Sequence, residues 1–141
     1  MTLEIADCRI DLAAERDGEW IDNVPDMPGL SLLVRGLECE AARSLRARRA
    51  ATWARQVPDS IARDGPPASV SDRALTDSLI HIILRDWRGL AEDGVPLAYA
   101  PETASRLLAD PSYRTFRIGV IWAAAQVGRT PAWRARQGEA A

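Results

Sequence analysis

The placement of glycine and proline constrains this chain more than any other feature. Neither residue occurs between Glu38 and Val57, and that run ends at Pro58. Gly65-Pro66-Pro67 then blocks both helix and sheet, because proline lacks an N–H donor and fixes φ. A second uninterrupted run follows from Ser71 to Arg88. Pro25-Asp26-Met27-Pro28-Gly29, Asp93-Gly94, Pro101, Pro111 and Gly128 cut the remainder into short pieces. The longest purely apolar run is six residues, Val120–Ala125, far below the ~20 that a membrane-spanning helix needs.

Within these limits, residues 1–37 read as strands. Leu3, Ile5, Ala6, Ile10 and Leu12 alternate imperfectly with charges. Asp17-Gly18 signals a turn, Glu19–Val24 a short strand, and Leu30–Leu37 (LSLLVRGL) the clearest strand. Residues 38–57 predict an Arg/Ala-rich helix of weak amphipathicity, with Leu37, Ala41, Leu45 and Trp53 on its inner side. Residues 58–70 read as a linker. Ser71 is placed to cap a core helix reaching Asp86–Gly89, since Leu75, Leu79, Ile82, Ile83 and Trp87 recur at helical spacing. A turn and an extended stretch at 92–99 precede a helix that opens at Pro101. Asp110-Pro111 starts a last helix with Tyr113, Phe116, Val120, Ala124 and Val127 on its buried stripe. The expectation is an α+β fold: a small N-terminal antiparallel sheet or meander followed by about four helices. One domain covers 1–127, with 71–127 its helical region, and 128–141 is a flexible tail.

Composition makes the core thin. Of 66 apolar residues 24 are Ala, and Leu, Ile, Val and Phe together number 31 of 141. That is just above the level where disorder becomes the default, and it argues against a large, deep-pocketed enzyme. All 18 basic residues are Arg, and the net charge is −2. The charge alternates in blocks: −6 over 1–28, +4 over 29–57, −4 over 58–111 and +4 over 112–141. Such a chain folds on itself or meets charged partners; it carries no basic stripe. Cys8 and Cys39 lack metal-ligand spacing. The start, MTLEIADCRI, has neither a basic nor an apolar leader region, so two free thiols in a cytoplasmic protein are expected.

No reactive constellation stands out. His81 is the only histidine, and helical spacing sets it near Asp77 and Arg85 as a surface pair. There is no Ser elbow, phosphate loop or HExxH. Asp86, Glu92 and Asp93 cluster at a turn without the spacing of a calcium loop. An enzyme is not expected, and neither a cofactor nor a metal is implied. The Arg cluster with Trp53 could meet nucleic acid, but acidic flanks weigh against it. Exposed Trp beside Arg is favoured at protein interfaces. Arg43, Arg46, Arg48, Arg49, Trp53 and Trp133 are therefore the candidate partner contacts.

The segment from Asp86 to Pro111 carries a denser pattern. Asp86, Trp87 and Gly89 lead into Asp93-Gly94, Pro96, Tyr99, Pro101-Glu102 and Ala104, then Leu107-Leu108 and Asp110-Pro111. This segment resembles the tail assembly chaperones of long-tailed bacteriophages and prophages, densely over 86–127 and more loosely over 18–45. Ala100 departs from it, standing where that family usually has a Ser to cap the following helix. The resemblance implies a non-enzymatic protein in the cytoplasm of the bacterial host. It would bind the tape-measure protein and tail-tube subunits during tail assembly, without membrane or cofactor, and self-association stays open. The alternatives are a minor tail or head–tail connector protein retained in the virion, and a small nucleic-acid-binding regulator.

Overall fold

The computed structural model describes residues 2–140; Met1 and Ala141, the outer ends of the expected domain and tail, lie outside the described residues. The architecture is α+β: a three-stranded antiparallel sheet packed with helices, plus a small separate hairpin.

The N-terminal segment departs from the strand expected over Leu3–Leu12. It forms a 3-10 turn at Ile5–Cys8 and then helix α1, Leu12–Asp17. The Asp11 carboxylate explains the switch, accepting the Ala13 and Ala14 N–H groups at 3.0 and 3.1 Å as a helix N-cap does. Of the expected strand only an isolated bridge between Ile10 and Arg129 remains. Gly18, at φ +93°, ends α1 and turns the chain into β1, Glu19–Ile21.

Strand β2, Ser31–Val34, pairs with β1 on one side and with β3, Leu84–Arg88, on the other. Its inward residues, Leu32 and Val34, are fully buried. β3 lies where the sequence predicts the end of a helix. The expected core helix is instead α4, Ala68–Ser78, then one π-helical turn at Leu79–Ile83, then the strand. Three isoleucines within Ile80–Ile83 fit this exit, because β-branched side chains disfavour helix and suit strands. The strand also mimics a helix. Its pairing steps from Leu33–Asp86 to Val34–Leu84, so Arg85 is an extra, bulged residue. Leu84 and Trp87, three apart, therefore both face the core.

The linker expected at 58–70 is partly ordered. It holds α3, Asp59–Ala62, and the first turn of α4, so Ser71 lies inside α4 rather than capping it. Helix α2, Glu40–Gln56, packs along α4 but buries only Ala42 and Leu45. The β-hairpin of β4, Ala91–Glu92, and β5, Val95–Pro96, leads to α5, Pro101–Ala109. A 3-10 turn at Pro111–Tyr113 opens α6, Arg114–Gln126, which lies under β2 and brings Phe116, Val120, Ala123 and Ala124 to the core. Gly128, at φ +76°, ends that unit. The expected flexible tail is instead helical: α7 spans Pro131–Ala140.

The charge blocks meet at α7. Arg134 pairs with Glu19 at 2.5 Å and Arg136 with Asp7 at 2.8 Å, joining the last block to the first. Arg49 pairs with Asp77 at 3.2 Å, joining the second to the third. Each pair is partly exposed and worth at most ~1 kcal/mol, so these contacts select which segments meet more than they stabilise the fold.

Candidate functional site

The Asp86–Pro111 motif closes around one indole. Trp87 is 4% exposed. Its Nε1–H donates to the Leu97 carbonyl at 2.7 Å. Tyr99 and Phe116 meet the ring edge-on, at centroid distances of 5.0 and 6.0 Å, the geometry that aromatic quadrupoles favour. Tyr99 Oη donates to the Leu84 carbonyl at 3.3 Å, and burial holds its phenol above the usual range.

The remaining motif residues hold this cage shut. The Asp86 carboxylate accepts the Trp87 N–H at 2.7 Å. Gly89 sits at φ +82°, and a Cβ there would run into the Gly29 carbonyl oxygen. Asp93 and Gly94 both take positive φ, 52° and 79°, as a two-residue I′ hairpin turn demands; Pro96 pairs with Ala91 beyond it. Pro101 and Glu102 open α5, and Ala100 supplies no side-chain cap. Ala104, Leu107 and Leu108 are its buried face. The Asp110 carboxylate accepts from the Ser112 N–H and hydroxyl, which lowers its pKa, and Pro111 follows as the first residue of the 3-10 turn. The polar groups of this motif are thus spent on turns and caps.

An open concavity lies elsewhere. An open groove of about 1180 Å³ runs between α1 and the N-terminal half of α2. Leu12, 72% exposed, stands at its lip. Glu15 and Glu38 line it opposite Arg43, with Ser44 and Ala47 along the α2 wall. Burial, then the Glu38 charge, raises the Glu15 pKa, while Arg129 and Arg43 pull it down. Residues 1–37, read as strands, concealed this α1 wall; Asp11 followed by Leu-Ala-Ala-Glu was the helix-start signal that would have revealed it.

The arginines expected to meet a partner divide into two groups. Arg46 donates to the Leu37 carbonyl and to Glu38, both at 3.1 Å, and to Ser78 Oγ at 3.4 Å. Arg49 donates to Asp77 at 3.2 Å. These two hold α2 against its neighbours. Arg43 and Arg48 are exposed. Trp53 is half-buried on α2, and Trp133 is half-buried on α7, with the Arg129 guanidinium 4.8 Å from its ring centroid. His81 is exposed, and its expected partner Asp77 serves Arg49 instead.

Cys8 is half-buried, Cys39 is buried, and both are free thiols. Among the described residues no cluster of three His, Cys, Asp or Glu side chains could hold a metal ion. No described helix is long and apolar enough to cross a membrane.

Comparison with curated proteins found no match, and neither did comparison with solved structures. A family model described as YdaY prophage protein matches residues 39–137, well over half of the chain, from the start of α2 into α7. The chain therefore belongs to the YdaY prophage protein family.

Proposed function

We propose that this prophage protein is a non-enzymatic tail assembly chaperone that binds the tape-measure protein and tail-tube subunits in the cytoplasm of the bacterial host. The observation that carries this reading is the Asp86–Pro111 motif. It resembles the motif of such chaperones, and in this chain it forms a single cage around Trp87. A cage whose polar groups are consumed in caps and turns is scaffold, so recognition falls to surfaces outside it. A chaperone for a long apolar helix must offer apolar surface edged with charge and must release its client. Leu12 beside the charged groove, and Arg43 and Arg48 on α2, supply surface of that kind.

Co-expression with the tape-measure protein encoded nearby tests the reading. The tape measure is expected to be soluble with this chain and insoluble without it; equal solubility in both cases rejects the reading. Mass spectrometry of purified particles separates a chaperone, absent from the virion, from a connector present at fixed copy number.

A further inference from the structure

We propose that α7 is a charge-locked strap: it undocks as a unit about Gly128 while the core stays folded, and carboxylates near the N-terminus hold it shut. That the open strap serves a tape-measure client rests on the chaperone reading; its opening does not.

Burial sets α7 apart. Helices α2, α4, α5 and α6 each bury at least two residues. Residues 131–137 of α7 bury none, and Trp133 and Arg134 are only half-buried. The segment it leans on is no better anchored, since neither the 3-10 turn at Ile5–Cys8 nor α1 buries a residue. An open cavity of about 540 Å³ lies between α1 and the root of α7, so the two do not pack closely there. With so little apolar area removed from water, docking is weak against the core, and a segment so placed opens without global unfolding.

Polar contacts take the place of packing, and they converge on two acidic residues. Glu19 Oε1 accepts the Gly128 N–H at 2.8 Å and Arg134 Nη2 at 2.5 Å, so one oxygen holds both the hinge and the helix. The Asp7 carboxylate accepts Arg136 at 2.8 Å, and the Asp7 carbonyl accepts the Thr130 hydroxyl at 2.8 Å. That hydroxyl also accepts the Trp133 N–H at 3.1 Å, capping α7. The closed form carries a cost as well. Arg134 Nε is buried without a hydrogen-bond partner among the described residues, and opening returns it to water.

Gly128 supplies the hinge, at a φ of +76° that glycine adopts readily. A helix of ten residues is marginal alone in water. An undocked α7 therefore melts, and closing is a disorder-to-order step. Opening releases Arg134 and Arg136 from Glu19 and Asp7, and leaves a basic segment carrying Trp133 for a client to take.

Hydrogen–deuterium exchange on the full chain, with no client present, tests the strap. The α7 amides should be protected, yet exchange at least about tenfold faster than those of α6. Raising the salt from about 0.1 M to about 1 M shortens the screening length from roughly 10 Å to roughly 3 Å, and should speed exchange in α7 more than in α6. Arg136→Asp, at an exposed position, should speed α7 exchange at least about threefold, and the swap Arg136→Asp/Asp7→Arg should restore protection. Cys8, half-buried beside Asp7, should be alkylated faster in Arg136→Asp while buried Cys39 stays protected. Equal exchange in α7 and α6, an unprotected α7 in the wild type, indifference to salt and to Arg136→Asp, a swap that fails to restore protection, or Cys8 and Cys39 reacting together each overturns the proposal. Co-expression with the tape measure is read separately: its failure rejects the chaperone role and leaves the exchange result standing.

Discussion

Helices α2 and α6 are both rich in alanine, yet they sit in the fold in opposite ways. In α6 thirteen residues bury Phe116, Gly119, Val120, Ala123, Ala124 and Gln126. In α2 seventeen residues bury only Ala42 and Leu45. Phe116, Val120, Ala123 and Ala124 of α6 form a buried stripe that meets the Trp87 cage, although Ile118 stays exposed, whereas the arginines of α2 surround it. Alanine is a strong helix former in either setting, so its presence favours helix in both. Burial then divides scaffold from surface. The cage and α6 carry the stability of the domain, and α2 contributes a surface held on by a few polar ties.

The comparison breaks most severely at Trp87. Trp87→Ala should destabilise the protein by about 3–5 kcal/mol, the usual cost of emptying a buried aromatic site. That is a large share of the stability of a domain this size, and it should lower the thermal midpoint by roughly 10 °C or more. A loss near 1 kcal/mol would mean that the cage is not the centre of the core.

A second test works within α2. Arg46→Ala should cost about 1–3 kcal/mol by denaturant titration, because it removes the donor to the Leu37 carbonyl and Ser78. Arg43→Ala and Arg48→Ala, at exposed positions, should stay within about 0.5 kcal/mol. Equal costs for all three would erase the division between tying and free arginines.

The smallest effect is expected at Glu15, where α1 and α2 face each other. Its pKa is raised in the fold above the ordinary value of 4.5, so the folded chain holds that proton more tightly than the unfolded one. Stability is lost as pH rises from the unfolded value through the raised one, and the penalty persists at neutral pH. Glu15→Gln should therefore stabilise slightly at neutral pH and flatten the pH dependence just above the usual carboxylate range, read from thermal midpoints at a series of pH values. A steeper dependence in the variant would reverse the assignment.

Much of the fold was legible because local signals agreed with tertiary ones. Glu19–Ile21 and Ser31–Val34 are apolar-rich and lie beside glycine turns, and Pro101 and Asp110-Pro111 open helical segments where expected. The errors have identifiable causes. The strand at Leu84–Arg88 was hidden because its bulge gives a spacing of three between inward residues, the period of a helix. Asp11 turned an imperfect alternation into a capped helix. The tail forms α7, capped by Thr130, and its arginines meet Glu19 and Asp7, more than a hundred residues away. The Trp20–Leu33 pairing of β1 with β2 was invisible as well, since cross-strand register is a property of two segments and not of either one.

The sequence by itself determined the punctuation, the helix propensity, the α+β class and the thinness of the core. These depend on single residues or near neighbours, so they survive without tertiary context. Tertiary structure alone decided which arginines are tied and which are free, where the helical period gives way to strand, and how the two ends of the chain meet. Those outcomes depend on what lies across a gap of space, and period and charge read along the chain do not encode it.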